Sequence, residues 1–130
     1  NQFGRVSDDA RFNRATKGLY EMGSTFKVLN TAIALETGAA NINQRFEVAK
    51  PLRISRFTIT DYKPRVRPLN VPEIMVYSSN IGSARIAEAI GADTQRAYMD
   101  KLGLLDRLPL QLPETSKPLI NISIIFQAFF

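Results

Sequence analysis

The chain of 130 residues contains neither histidine nor cysteine. Without histidine there can be no Ser-His-Asp triad and no imidazole base, and without cysteine there is no thiolate nucleophile, disulfide, zinc finger or iron–sulfur cluster. An enzyme of this composition must therefore transfer protons with Lys, Asp, Glu or Tyr. We expect neither a cofactor nor a bound metal ion.

Long apolar runs are also lacking. No segment approaches the roughly 20 apolar residues of a membrane-spanning helix, and residues 1–5 show neither a starting Met nor a signal-peptide pattern. A hydrophobic fraction of 45% over this length suits a single domain. We expect residues 1–130 to form one partial domain, taken from the interior of a longer protein.

The net charge of +5 is concentrated in one segment. Residues 50–67 are rich in Lys and Arg and contain a single acid, Asp61. Such a segment attracts polyanions such as nucleic acid or an anionic membrane surface, and Phe57 and Tyr62 are spaced as stacking platforms would be. A solvated strand and loop explains the same pattern.

Hydrophobic spacing predicts a helix-rich α+β domain with few strands. The first twenty residues are predicted to be irregular. A helix should begin at Gly23-Ser24 and end at Gly38, with apolar residues around nearly its whole circumference, as expected for a buried central helix. Residues 45–62 are strand-like, and their β-favouring residues alternate most clearly at 56–60.

The second half of the chain is predicted to be mainly helical. A short helix is expected over 72–77, a second over 81–90, and a third that ends at Leu102 and is capped by Asp93 or Thr94. The segment 104–118 is punctuated by proline and should form a loop.

With His and Cys excluded, the nucleophile must be a hydroxyl or an amine, and Ser24-Thr25-Phe26-Lys27 is the best candidate. Residues at i and i+3 share a helix face, so the Ser24 hydroxyl and the Lys27 amine should lie one turn apart. Burial and the positive helix N-terminus would both lower the pKa of Lys27 towards that of a base. A serine that caps the helix and a lysine on its surface would give the same Ser-x-x-Lys pattern.

A longer set of motifs resembles a known family. Asn13-Arg14-Ala15, then the string from Tyr20 to Lys27, and finally Tyr77-Ser78-Ser79-Asn80-Ile81-Gly82 are similar to motifs of the penicillin-binding protein transpeptidase domain. Within that superfamily the chain most resembles the class B, division-specific enzymes that cross-link septal peptidoglycan. The resemblance covers about residues 1–118, including Leu112-Pro113-Glu114.

The resemblance implies a fold and four site residues. The fold would be the helix-rich part of a domain like those of penicillin-binding proteins and serine β-lactamases. Ser24 would be the nucleophile, acylated by the D-Ala-D-Ala stem peptide or a β-lactam, and Lys27 the base. Ser78 would relay a proton to the leaving amine, and Asn80 would hold the Lys27 amine and the substrate. The Ser24 N–H would be one oxyanion-hole donor.

The chain departs from the family pattern at three places. Met22 stands where many relatives have Pro. No Lys is followed by Thr-Gly or Ser-Gly, so the third family motif, an edge strand of the active-site sheet, is missing. We therefore expect an incomplete sheet and an isolated chain that is inactive or nearly so. The end of the chain, residues 119–130, is unusually apolar, and two origins remain open for it: a buried strand, or a frameshifted or prematurely ended gene.

Three interpretations compete. The leading one is a fragment of a serine-type D,D-transpeptidase that works on the periplasmic face of the bacterial inner membrane with division-complex proteins, and that does not bind nucleic acid. A serine β-lactamase or DD-carboxypeptidase shares both motifs. In a β-lactamase the candidate base for deacylation would be Glu114. The third is a non-catalytic basic module that binds nucleic acid through residues 50–67.

Overall fold

The computed structural model describes residues 13–18, 20, 22–109, 111, 115 and 117–118. It is an α+β fold, as the sequence predicted. The elements, in chain order, are α1 Arg14–Lys17, a 3-10 turn Gly23–Thr25, α2 Phe26–Glu36, β1 Arg45–Phe46, β2 Leu52–Ile54, β3 Phe57–Ile59, β4 Leu69–Asn70, α3 Val71–Val76, α4 Asn80–Ile90 and α5 Ala92–Lys101.

The four strands described are short and form two separate antiparallel pairs. In one pair β1 lies against β4, with Phe46 opposite Leu69. In the other, β2 and β3 form a hairpin in which Leu52 faces Ile59. The strand-like pattern of residues 45–62 therefore contains three short strands, and the described residues do not assemble into one larger sheet.

The apolar core lies between α2, α4 and the strands. Ile33 and Ala34 of α2 meet Ile81, Ala84 and the other buried residues of α4. Further core residues come from the strands, from a loop between them and from α3: Phe46, Val48, Ile59, Leu69 and Ile74. Burial of these side chains stabilises the crossing of α2 and α4, which sets the position of the candidate site.

Helix α2 is buried on one face only, so the expectation of burial around its whole circumference is wrong. Lys27, Asn30, Thr31 and Ala34 are buried at helical spacing, whereas Val28 and Leu35 are 55% and 40% exposed. Three of the buried residues, Lys27, Asn30 and Thr31, are polar, and each has a hydrogen-bond partner outside α2.

Helices α3 and α4 approach each other at Gly82. A Cβ at this position would lie 2.6 Å from Ile74 Cγ1, closer than packed carbon atoms tolerate. The missing side chain therefore allows the first turn of α4 to rest against α3, and the loop 77–79 between the two helices is held close to α2.

The predicted helices in the second half of the chain are confirmed: the first two agree to within one residue, and the third begins two to three residues earlier than its predicted cap implies. The predicted cap of α5 is wrong, because the structure has Gly91 before the helix, at φ 78°, and no side-chain hydrogen bond caps it. The helix Arg14–Lys17 also lies in the stretch that was predicted to be irregular. Its N-cap is Asn13, whose side chain accepts a hydrogen bond from Ala15 N.

Several sequence predictions fall outside the described residues. They concern Glu114, Leu112-Pro113 and the apolar segment 119–130. Among the helices that the structure describes, none has the length and apolar character needed to cross a membrane.

Candidate active site

Ser24 lies on the 3-10 turn that leads into α2. The turn spans Gly23–Thr25, and Gly23 has φ 49°, a left-handed conformation that glycine adopts without strain. The side chain of Ser24 is exposed, while Lys27, one turn further along, is only 3% exposed. The turn therefore presents the hydroxyl to solvent and directs the amine inward, towards the loop before α4.

The Lys27 ammonium donates three hydrogen bonds into that loop. Its Nζ lies 2.8 Å from the Ser78 carbonyl oxygen, 3.1 Å from Ser78 Oγ and 2.6 Å from Asn80 Oδ1. An ammonium has three N–H donors, so its capacity is used completely. These contacts join the two sequence motifs, which are more than 50 residues apart in the chain.

Burial lowers the pKa of Lys27 from its ordinary value, and the negative charge of Asp61 opposes this shift in part. The direction is the one that a lysine base requires, because removing an ammonium from water favours the neutral amine.

Ser78 stands between the hydroxyl and the amine. Its Oγ is 3.2 Å from Ser24 Oγ and 3.1 Å from Lys27 Nζ. Within the described residues no hydrogen bond joins Ser24 directly to Lys27, so the two are connected through Ser78. The residue has φ 50°, in the left-handed region that side-chain-bearing residues rarely occupy.

Asp61 holds this loop from the other side. Its Oδ1 accepts from the backbone N–H groups of Asn80, at 2.5 Å, and Ile81, at 3.0 Å. Its Oδ2 accepts from the Ser79 hydroxyl at 2.7 Å. A carboxylate at a helix N-terminus satisfies unpaired N–H groups and is favoured by the helix dipole. Asp61 therefore fixes the start of α4.

Asn80 has both ends of its amide engaged. Oδ1 accepts from Lys27 Nζ, and Nδ2 donates to the Thr60 carbonyl at 3.0 Å. The amide orientation follows from these two partners, one a donor and one an acceptor. Asn80 thus links the β2–β3 hairpin to the amine of α2.

An open cleft of about 510 Å³ lies over these groups. Ser24, Ser78 and Asn80 form one part of its lining, and Asp61, Tyr62, Lys63, Arg65, Val76 and Tyr77 form the rest. The Ser24 hydroxyl is therefore accessible to a ligand, while the Lys27 amine lies behind it, shielded from water.

The basic residues of segment 50–67 have diverse environments. The Arg67 guanidinium pairs with Glu73 at 2.7 Å, Arg65 lies over the Tyr77 ring, and Arg56 lies over Phe57. Phe57 is half-buried and Tyr62 is 94% exposed. The segment thus divides between a surface ion pair, an exposed hairpin and one wall of the cleft.

All four predicted site residues are brought together by the fold: Ser24, Lys27, Ser78 and Asn80. Asp61 was missed as part of the site, although the sequence marks it as the single acid of a basic segment. Its contacts with residues 18 to 20 positions later depend on the fold, so local pattern could not assign them. The described residues contain no cluster of three or more potential metal ligands.

The sequence is similar to those of known D,D-transpeptidases. The chain is 40% identical over 119 residues to a probable peptidoglycan D,D-transpeptidase FtsI from Caulobacter vibrioides, with 92% of the chain and 20% of that protein covered. It is 31% identical over 122 residues to a probable peptidoglycan D,D-transpeptidase PenA from Neisseria gonorrhoeae, again covering 20% of it. The chain spans about a fifth of the length of these relatives.

Solved structures give the same fold. A putative peptidoglycan glycosyltransferase from Atopobium parvulum superposes with a TM-score of 0.75 at 25% identity, over 85% of this chain and 27% of that one. Penicillin binding protein 3 from Mycobacterium tuberculosis superposes with a TM-score of 0.74 at 24% identity, over 84% and 25%.

The family resemblance drawn from the motifs around Ser24 and Ser78 is confirmed by a family model. The model describes the penicillin binding protein transpeptidase domain and matches residues 1–128. This chain belongs to the penicillin-binding protein transpeptidase domain family.

Proposed function

We propose that the chain supplies the nucleophile, the base and the Ser-x-Asn loop of a serine-type peptidoglycan D,D-transpeptidase that cross-links stem peptides in septal cell-wall synthesis. The observation that carries the proposal is the connected series of atoms Ser24 Oγ, Ser78 Oγ and Lys27 Nζ, with spacings of 3.2 and 3.1 Å. The names of the relatives, D,D-transpeptidases from Caulobacter and Neisseria, support the reaction class.

The proton of Ser24 would reach Lys27 through Ser78. In its neutral form the amine keeps two N–H donors, which suit the Ser78 carbonyl and Asn80 Oδ1, and its lone pair faces Ser78 Oγ. Hydroxyl hydrogens rotate freely, so Ser24 O–H can donate to Ser78 and Ser78 O–H to the amine. Ser78 therefore serves in both directions, first as the path from Ser24 and then as the donor to the leaving amine.

Acylation would form one bond and break one. Ser24 Oγ attacks the carbonyl carbon of the penultimate D-alanine, and the C–N bond to the terminal D-alanine breaks. The proton taken from Ser24 passes back through Ser78 to the departing amine, so the terminal D-alanine leaves neutral at its nitrogen. An amine of a second stem peptide then attacks the acyl-Ser24 ester, loses its proton by the same path and releases Ser24.

The oxyanion of each tetrahedral intermediate needs at least two donors. The N–H of Ser24 would be one. The second donor belongs, in the family pattern, to the Lys-Thr-Gly strand, and this sequence has no such tripeptide. Loss of a single oxyanion donor costs about 3 kcal/mol in other enzymes. We therefore propose that the isolated 130-residue chain is inactive or nearly so.

The wider biology follows from the likeness. The substrate would be a stem peptide ending in D-Ala-D-Ala, and β-lactams would acylate Ser24 in the same way. The proposed site of action is the periplasmic face of the inner membrane, together with membrane proteins of the division complex, and the likeness to peptidoglycan D,D-transpeptidases supports it.

A chimaera tests the proposal. This chain replaces the matching segment of the 40% identical Caulobacter protein, and the product is incubated with a fluorescent penicillin. We expect stoichiometric labelling at Ser24, located by peptide mass spectrometry, and none in the Ser24→Ala variant. Lys27→Met should slow labelling by about 100-fold or more, as expected on removal of a general base.

A chimaera that melts cooperatively and stays unlabelled would overturn the proposal. A measurement on the 130-residue chain needs no acylation: the pKa of Lys27 Nζ, followed by NMR of ¹⁵N-labelled lysine. It should lie below 10.5, the value of an exposed lysine. A value at or above 10.5 would contradict the base role. Stoichiometric labelling of the isolated chain would show its proposed inactivity to be wrong.

A further inference from the structure

Part of the cleft lining carries unneutralised positive charge. Lys63 and Arg65 line the cleft together with Ser24. The acid in the same lining, Asp61, is already engaged by the Ser79 hydroxyl and two backbone N–H groups. The cleft therefore offers a ligand two cations and no free carboxylate among the residues that line it.

Arg65 is held in place without an acidic partner. Its guanidinium lies 4.0 Å from the centre of the Tyr77 ring, and its Nε is buried with no hydrogen-bond acceptor. In contrast, Arg67, two positions after Arg65 in the chain, and Arg45, twenty positions before it, both pair with Glu73. Within the part of the chain that the structure describes, neither Lys63 nor Arg65 forms an ion pair.

These features combine in one arrangement. Stacking on Tyr77 fixes the guanidinium plane, so an incoming acceptor would not have to immobilise the side chain. Because Nε is shielded from solvent, a ligand in the cleft would bind the terminal N–H groups of the guanidinium. The planar fork of Arg suits a carboxylate, which can accept two of its N–H groups at once.

We infer that Arg65, assisted by Lys63, forms a subsite for a carboxylate of the peptide substrate, adjacent to Ser24 in the same cleft. The inference rests on the proposed function for the substrate class, a D-alanyl peptide. It adds that a peptide carrying a carboxylate within reach of this wall binds better than its neutral counterpart. Arg65 and Lys63 are here substrate-binding residues, and they take no part in moving protons.

The direct test observes the Arg65 side chain in the 130-residue chain. The Nε–H signal of Arg65, in protein labelled with ¹⁵N-arginine, is assigned by its disappearance in Arg65→Met. Three peptides are then titrated at constant ionic strength: acetyl-D-Ala-D-Ala-amide, which is neutral; succinyl-D-Ala-D-Ala-amide, with a carboxylate at the N-terminal end; and acetyl-D-Ala-D-Ala, with one at the C-terminal end.

We expect one of the two carboxylate peptides to shift the Arg65 signal and to bind about tenfold more tightly than the neutral amide, the gain typical of one charge-assisted hydrogen bond. The peptide that does so identifies which end of the substrate faces this wall. Arg65→Met, followed at the Tyr77 amide signal, should abolish the preference, and Lys63→Met should reduce it by a few-fold.

Arg56→Met is the matched control, because Arg56 also lies over an aromatic ring, Phe57 at 5.2 Å, and does not line the cleft. This variant should keep the full preference. Equal affinity for all three peptides, or a preference that survives Arg65→Met, would overturn the inference. A labelled chimaera with no Arg65 response refutes the subsite alone, whereas an Arg65 response with an unlabelled chimaera refutes the proposed function alone.

Discussion

The N-termini of α3 and α4 are both capped by side chains, but the acidic residue is close in the chain for α3 and distant for α4. The first turn of each helix has backbone N–H groups that need acceptors. In α3 the answer is local: Asn70 Oδ1 accepts from Glu73 N at 2.9 Å, and the Glu73 carboxylate accepts from Asn70 N at 3.0 Å. In α4 the Ser79 hydroxyl accepts from Gly82 N at 2.9 Å, and the acid is Asp61, far back in the chain.

The consequence for the site differs accordingly. The box of α3 ends a strand and begins a helix at the surface, where Glu73 also pairs with Arg67. Asp61 instead fastens the loop that carries Ser78 and Asn80, and its charge reaches Lys27. The local contacts of Asn70 and Glu73 stabilise one helix, whereas the long-range contacts of Asp61 position the loop of the candidate site.

The largest effect should come from removing the long-range acid. Asp61→Ala leaves two backbone N–H groups and the Ser79 hydroxyl without their acceptor, and we expect a loss of about 3 kcal/mol in the free energy of unfolding. The pKa of Lys27 should fall further, because Asp61 raises it. Urea denaturation and NMR of ¹⁵N-labelled lysine measure the two effects.

Asp93→Ala is the matched control for Asp61. Asp93 also lies in the first turn of a helix, α5, but no side-chain hydrogen bond caps that helix. Its loss should cost only a few tenths of a kcal/mol, the usual size of a dipole interaction at the surface. Equal losses in the two variants would show that the distant hydrogen bonds of Asp61 have no special weight.

The next effect concerns the local box. Asn70→Ala removes the acceptor of Glu73 N, and the cost should be about 1 kcal/mol, as for other N-caps. The Lys27 pKa should not change, because the box lies outside the network around the amine. A shift in that pKa on Asn70→Ala would mean that the two helix N-termini are coupled, and the contrast between them would fail.

Lys27→Met should change how stability depends on pH. The pKa of Lys27 is lower in the folded protein than in the unfolded chain, so the unfolded state binds more protons in the interval between the two values. Lys27 therefore makes the wild-type protein more stable as pH rises from its lowered pKa towards 10.5. This rise should be absent from the variant in urea denaturation at a series of alkaline pH values.

The smallest effect should be that of Glu73→Gln. Its salt bridge and hydrogen bonds lower the pKa of Glu73 from 4.5 to about 2. The charged form thus contributes stability above the unfolded value, and this contribution is lost as pH falls from about 5 towards 2. The wild-type melting temperature should decline over this interval more than that of the variant, and high salt should diminish the difference. Parallel curves would contradict the role of the surface pair.

The contrast between the helix N-termini also shows which features of the fold and the site could be predicted from the sequence. Helix α3, with Pro72 in its first turn, and helix α4, with Ser79 before it, carry their start signals within a few residues, and both were predicted. The sequence also identified the four site residues, because each lies in a short motif whose spacing can be read directly: Ser24, Lys27, Ser78 and Asn80. Their spatial meeting remained a prediction until the fold placed α2 against α4.

The failures have physical causes as well. Val28 and Leu35 match a buried helix by composition, but composition does not say which neighbours are present to cover them. Gly91 replaces the predicted cap of α5 because the turn needs a φ of 78°, which Asp93 or Thr94 would adopt only with strain. Asp61 binds residues brought to it by tertiary packing, a kind of contact that has no local pattern.

The left-handed backbone of Ser78 sets two selection pressures against each other. At φ 50° glycine would relax the backbone of the loop, although Ser78→Gly also removes one acceptor of the buried Lys27 ammonium. The same change deletes the hydroxyl that joins Ser24 to Lys27. Under the proposed function, the strained conformation is retained because the hydroxyl is needed for proton transfer. If variants of the chimaera are screened separately for folding and for penicillin labelling, the residues that the two screens favour should differ more at position 78 than at its buried neighbours.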